Sequence, residues 1–316
     1  MRVTDLDSVL FPVRPRQLCF AANGKFVPVG SHVVLINCDT GSQVGVVGKD
    51  YRLVTNREAL GFARECARQL FGGVKPEELE VFNVDSPSSG SYCHIDLIHK
   101  GFELNFLKKE VYLPFVRMTN SYNRSRALGF KIGYCRKVCS NGMIFEQEAI
   151  RFSFAHSRAD IGPSLDFRIE KGKLDALRQK FETDAERLHF YRIPERTGLP
   201  LFFKALSLPM LPTGDDVSQR TVDLFDGLHC VGNRLLSEYF GQFGTNAYAL
   251  LNAATDLASH PDKVYGLTRS AHSMQTSAGT WSREFAALVS DKEKPLDLDE
   301  YLGDYINVNS WRGSLL

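Results

Sequence analysis

The stretch from Val111 to Ser157, VYLPFVRMTNSYNRSRALGFKIGYCRKVCSNGMIFEQEAIRFSFAHS, constrains the fold more than any other part of the chain. It holds three β-rich runs, Val111–Asn120, Leu128–Arg136 and Ala149–Phe154, separated by turn-rich breaks at Asn120–Arg126 and Ser140–Gly142. In the middle run Leu128, Phe130, Ile132 and Tyr134 alternate with Gly129, Lys131, Gly133 and Cys135. A period of two is that of a half-buried strand, with one apolar face and one small or basic face. Asn141-Gly142 between apolar runs is a reverse-turn signal, since both residues tolerate positive φ. From Lys108 to Arg158 ten Lys/Arg stand against three Glu, a local net of +7 in a chain whose total is +1. Basic residues interleaved with aromatics on a twisted sheet suit a polyanion whose bases or sugars stack on the rings. The candidate nucleic-acid-binding residues are therefore Arg117, Asn120, Tyr122, Arg124, Arg126, Lys131, Tyr134, Arg136, Lys137 and Arg151. The competing explanation is a solvated sheet face whose charges only keep the protein in solution.

The chain is 316 residues long, enough for one large or two ordinary domains. No apolar run approaches the roughly 20 residues of a membrane helix, and MRVTDLDSVLF does not read as a secretory signal. Seven cysteines, an odd number dispersed along the chain, do not read as a disulfide framework. A cytoplasmic protein with reduced thiols and no membrane association is expected.

Towards the amino terminus, Pro12, Pro15, Gly24, Pro28 and Gly30 give the first thirty residues the look of an irregular arm or edge. Val33–Ile36 and Val44–Val47 flank the turn-forming Asp39-Thr40-Gly41-Ser42, which predicts a hairpin. Thr55 and Glu58 make a capping box for a helix with apolar positions at Leu60, Ala63, Ala67 and Leu70, ending at Gly72-Gly73. Leu79–Val84, Tyr92–Ile98 and Phe102–Phe106 read as further strands. Beyond Ile161-Gly162-Pro163 the period becomes helical, with Leu174, Leu177, Phe181, Ala185 and Leu188 striping the segment Ile169–Arg192. Val217–Phe240, Ala247–Ala258 and Trp281–Val289 follow as helices. The expected fold is α+β: a helix with an antiparallel meander over residues 1–162, and a mainly helical region over 163–316.

A series of motifs opens with Thr40-Gly41 leading to Gly45-Val46-Val47-Gly48-Lys49-Asp50-Tyr51, then Val54-Thr55-Asn56-Arg57-Glu58-Ala59. Thr119-Asn120-Ser121-Tyr122, Ser125-Arg126-Ala127 and Cys139-Ser140-Asn141-Gly142-Met143 follow, and Gly244-Thr245, Asn252-Ala253-Ala254-Thr255-Asp256 and His260 close the series. In this order the motifs resemble the phage/plasmid-like family known as domain of unknown function 932. The departures are Asn246-Ala247-Tyr248, where the family more often has an aromatic directly, and Asp256-Leu257 in place of an acidic-aromatic pair. The resemblance spans roughly residues 30–290 and implies a phage, prophage or plasmid setting, without supplying an activity.

Metal and catalytic motifs are thin. Cys135 and Cys139 on one extended run lie some 13 Å apart at about 3.3 Å per residue, too far for one zinc bound at about 2.0–2.3 Å. No GxSxG elbow and no GxxxxGK[ST] phosphate loop occurs, and Asp85, Asp96 and Glu103 do not stand out from solvent-facing acids. No cofactor or metal is expected. The leading expectation is a non-enzymatic, sequence-tolerant nucleic-acid binder, favouring single-stranded DNA, that serves replication, recombination or strand annealing for a mobile element. The helix, meander and long following helix are compatible by fold analogy with a Rad52-like annealing arrangement. The alternative is a protein-binding module that inhibits or recruits a host factor, with an anti-defence role. A third reading, a metal-free Cys/His hydrolase built on Cys93 or Cys139 with His94, His99 or His156, requires a pocket with a base beside the thiol. Self-association is also expected, because the long helix around Ile169–Arg192 and the apolar Leu199–Leu211 (LPLFFKALSLPML) offer surface for an interface, the alternative for Leu199–Leu211 being a buried linker between the two halves.

Overall fold

Thr55 accepts a hydrogen bond from the Glu58 backbone N–H while the Glu58 carboxylate accepts one from Thr55, and helix α1 (Asn56–Leu70) starts from this capping box. In this computed structural model the described residues are 2–3, 5–99, 101–106, 110–137, 142–144, 152–154, 172–212, 217–291, 293 and 295–311. The chain divides into two units that interleave along the sequence. Unit 1 holds residues 1–103, 113–132 and 148–174, and unit 2 holds 104–112, 133–147 and 175–316. The architecture is α+β, with antiparallel sheets and a helical carboxy-terminal part.

Unit 1 contains two sheets. The first is β2 (Val13–Ala22), β3 (Lys25–Asn37) and β4 (Gln43–Gly48), antiparallel in that order. The second has β1 (Arg2–Val3) beside β5 (Leu79–Pro87), then β6 (Tyr92–His99), then β8 (Glu110–Ser121) from Leu113 onward. Next comes β9 (Leu128–Arg136) up to Ile132, with β11 (Phe152–Phe154) on its far edge. Helix α1 lies against β5 and β6 and buries Ala59, Leu60, Ala63, Cys66, Ala67 and Leu70. The alternation in β9 holds as far as Ile132, with Leu128, Phe130 and Ile132 buried and Gly129 and Lys131 half-buried between them, whereas from Gly133 to Arg136 every residue is buried.

In unit 2, β7 (Leu104–Phe106) pairs with residues 110–112, and β10 (Gly142–Ile144) pairs with 133–135. Helix α2 (Lys173–Phe190) buries all five residues of its predicted stripe. Helices α3 (Gly198–Ala205), α4 (Gln219–Phe243) and α6 (Ala271–Ser290) surround α5 (Ala247–Ser259), in which every residue from Ala247 to Ala258 is buried. A short α7 (Leu298–Leu302) follows. No helix among the described residues is long and apolar enough to cross a membrane.

Two expectations are corrected here. The apolar segment Leu199–Leu211 does not offer an apolar surface, because Leu201, Phe202, Phe203, Ala205, Leu206 and Leu208 are buried in unit 2 and its exposed residues are Ser207, Pro209 and Met210. Over the first thirty residues an edge forms in place of an irregular arm: residues 13–22 and 25–37 make a long two-stranded ribbon. Its prolines are tolerated because Pro15 lies on the edge strand β2, and Pro28 lies where β3 has passed the end of β4.

Candidate nucleic-acid interface

Five of the ten residues singled out from the central stretch are buried. Arg117 stands directly opposite Asp96 across β6 and β8, with Nε 2.6 Å from Oδ1 and Nη2 on Oδ2. Asn83 donates to the same carboxylate at 3.1 Å. Arg136 grips Glu110 in the same two-pronged way, with Nη2 2.9 Å from Oε1, and lies 4.9 Å from the Phe243 ring. Both pairs are shielded from water, so these arginines compensate carboxylates in the protein and do not face a phosphate. Tyr134 is stacked on Phe181 with ring centroids 4.9 Å apart and is 1% exposed, which leaves no accessible face for a base. Asn120 donates to the Val54 carbonyl at 3.0 Å and to Asn56 Oδ1 at 2.9 Å. The Tyr122 hydroxyl accepts from the Asn56 backbone N–H at 2.9 Å, and burial pushes its pKa well above the ordinary tyrosine value. Within the Thr119-Asn120-Ser121-Tyr122 motif, Asn120 and Tyr122 therefore form a buried polar clamp that fixes the start of α1 against the end of β8.

Arg124, Arg126, Lys131 and Lys137 keep access to solvent. Arg124 is exposed at φ +61°, a left-handed conformation that is uncommon for a side-chain-bearing residue. Its loop is pinned: Ser121 Oγ accepts from the Arg126 N–H at 3.1 Å and donates to the Arg126 carbonyl at 2.7 Å, and Asn123 accepts from the Ser125 N–H at 3.0 Å. Arg126, half-buried, lies 4.7 Å from the Tyr92 ring, and its Nε is buried without a partner. Lys131 is half-buried and Lys137 exposed. Arg151 lies outside the described residues.

A feature not anticipated from the sequence adjoins this loop. The base of the β2–β3–β4 sheet packs Val13, Leu35, Val44 and Val47 around Phe11 and Tyr122. Contact there is close enough that a Cβ on Gly45 would sit 2.2 Å from the Tyr122 carbonyl oxygen. Beyond that base, from Arg14 to His32, no residue is buried. The register breaks between Gln17, which faces Val33, and Cys19, which faces Pro28. Above the break, Cys19 to Ala22 pair with Pro28 to Lys25, and Asn23 and Gly24 close the turn at φ +50° and +72°, as a two-residue primed turn requires.

The chemistry of this ribbon is uniform. No Asp or Glu occurs between Asp7 and Asp39, whereas Arg14, Arg16, Lys25 and His32 do. Phe26 is 83% exposed and Phe20 53%, with Val27 also exposed. Burying one such ring is worth about 1.5–3 kcal/mol, which makes the rings left in water on this cationic ribbon a candidate contact surface. Asn23-Gly24 and the missing acids were readable in the sequence. The alternation that usually announces a strand was absent, because neither face of the ribbon is buried.

The chemistry of the alternatives is less favourable. Cys93 is fully buried, and burial pushes its thiol up to about 12, away from the thiolate a nucleophile needs. His94 Nδ1 is 2.8 Å from Thr119 Oγ1, while Cys139 and His156 lie outside the described residues. In unit 2 a cavity of about 710 Å³ is lined by His229 with Glu195, Arg196 and Asn233, and no Cys, Ser or Thr is among its described lining residues. Comparison of the chain with protein-family models, with curated proteins and with solved structures yields no match.

Proposed function

We propose that the protein is a sequence-tolerant nucleic-acid-binding protein, with single-stranded DNA as the favoured form, and that the β2–β3 ribbon and the adjoining Asn123–Arg126 loop make the contact. The observation that carries this reading is the exposed, acid-free ribbon bearing Arg14, Arg16 and Lys25 beside uncovered Phe rings. Cations give the sequence-independent share of affinity by releasing counterions from phosphates, and aromatic faces accept any base. Nothing in this chemistry reads a sequence. The resemblance in the central motifs supports a phage or plasmid setting only; a role there in replication, recombination or strand annealing is part of this proposal.

Labelled single- and double-stranded oligonucleotides titrated at several salt concentrations test the proposal. Replacing Arg14, Arg16 and Lys25 together by Ala should lower the slope of log K against log salt by about two, at about 0.7 per contact on a single strand. Unchanged affinity and slope would remove the ribbon from the interface. A wild-type protein that binds no oligonucleotide at low salt, yet captures a host protein through the ribbon, would replace this reading by the host-factor alternative.

A further inference from the structure

We infer that the ribbon tip carries two base-stacking subsites, one on each of its faces, with Phe20 as the platform of one and Phe26 as the platform of the other. This rests on the nucleic-acid reading above and adds the chemical class of each contact, an unstacked nucleobase.

The register fixes the geometry. Directly opposed residues in an antiparallel pair share a face, and neighbours along a strand alternate. Phe20 pairs with Val27 and Ala22 with Lys25, so Phe20, Val27 and Lys25 lie on one face. Phe26 pairs with Ala21 and Cys19 with Pro28, so Phe26 and Pro28 lie on the other. Each face thus presents one uncovered ring beside small or apolar neighbours, and Lys25 stands at the turn within reach of a phosphate. Charge complementarity selects the occupant: with no acid on the ribbon and a cation at its tip, the surface suits a polyanion.

The two-sided placement also selects among polyanions. A flat partner can cover one ring and leaves the other in water. A duplex groove puts base edges under one face only and polar backbone at its walls, so it too leaves a ring unmatched. A single strand is flexible, and its bases can splay to both sides of a ribbon that its backbone crosses. The Asn23-Gly24 turn leaves no bulky side chain at the crossing point.

The test uses the full chain and a single-stranded oligonucleotide with 2-aminopurine at its centre, whose fluorescence rises when the base leaves its neighbours. Phe20→Ala and Phe26→Ala should each raise Kd by about tenfold, within the range that stacking one base supplies, and each should reduce the fluorescence rise. The double variant should show roughly the product of the two effects, because the faces are separate. The salt slope should stay at the wild-type value, since no cation is removed. Phe20→Leu and Phe26→Leu keep an apolar group without a ring face, and should behave as the alanine variants do. Both rings are exposed, so the variants should melt with the wild type. Several outcomes would overturn the inference. Leucine variants binding as tightly as wild type would show that general apolarity suffices. Alanine variants within twofold of wild type, with Arg14→Ala weakened, would leave the nucleic-acid reading standing and remove the stacking subsites. Rings whose removal changes the mass seen by light scattering, with no effect on oligonucleotide affinity, would assign the tip to a second copy of the chain. A wild-type protein that binds no oligonucleotide would remove both readings.

Discussion

Replacing Arg117 by Met separates a buried ion pair from a phosphate contact. The guanidinium and the Asp96 carboxylate are both nearly inaccessible, face each other directly across two strands, and bond through two nitrogens and two oxygens. Removing Arg117 alone leaves a buried carboxylate that keeps Asn83 as a donor but has lost its counter-charge. Losses of this kind run to about 3–5 kcal/mol, because the desolvated charge has lost its counter-charge. Replacing both members, as in Arg117→Met with Asp96→Leu, removes the stranded charge along with the pair, and such replacements are often near neutral. The double variant should therefore recover most of the loss, giving a coupling on the order of 2 kcal/mol or more. Urea denaturation of wild type, both single variants and the double variant measures this directly. Oligonucleotide affinity at low temperature, where all four are folded, should differ little. If Arg117→Met were as stable as wild type but defective in binding, the assignment of Arg117 to structure would be refuted.

Two further expectations follow from other contacts. Gly45→Ala puts a methyl group into the Tyr122 carbonyl; it should cost about 1–3 kcal/mol in urea denaturation and weaken oligonucleotide binding by shifting the ribbon base against the Arg124 loop, and a variant unchanged in both would contradict the packing described. Burial holds the His229 pKa below its usual 6.5, so its stabilising contribution is complete above about pH 6.5 and is lost as pH falls through the folded value. The stability advantage of wild type over His229→Gln should therefore shrink between pH 7.5 and pH 5, and a constant or growing difference would contradict it.

Most of the regular structure was legible in the sequence because it rests on local signals. The Thr55–Glu58 capping box, the alternation through Leu128–Tyr134 and the stripe from Leu174 to Leu188 each name their buried face in advance. The alternation also carried a warning about the candidate site, since a strand that buries Leu128, Phe130 and Ile132 buries Tyr134 with them. Charge counting misled for a different reason. It recorded Arg117 and Arg136 as free cations, whereas their partners Asp96 and Glu110 lie 21 and 26 residues away and are brought opposite only by strand pairing. The ribbon escaped notice because a strand exposed on both faces has no hydropathy period, and Pro15 and Pro28 argue locally against a strand. Its Asn23-Gly24 turn was the one signal present.

Photocrosslinking tests the central claim most directly. A single-stranded oligonucleotide carrying 5-iododeoxyuridine, bound to the full chain at low salt and irradiated, should attach to peptides containing Phe20 or Phe26, as mapped by mass spectrometry. Measurable binding with crosslinks confined to β8 and β9, and none on the ribbon, would contradict the account.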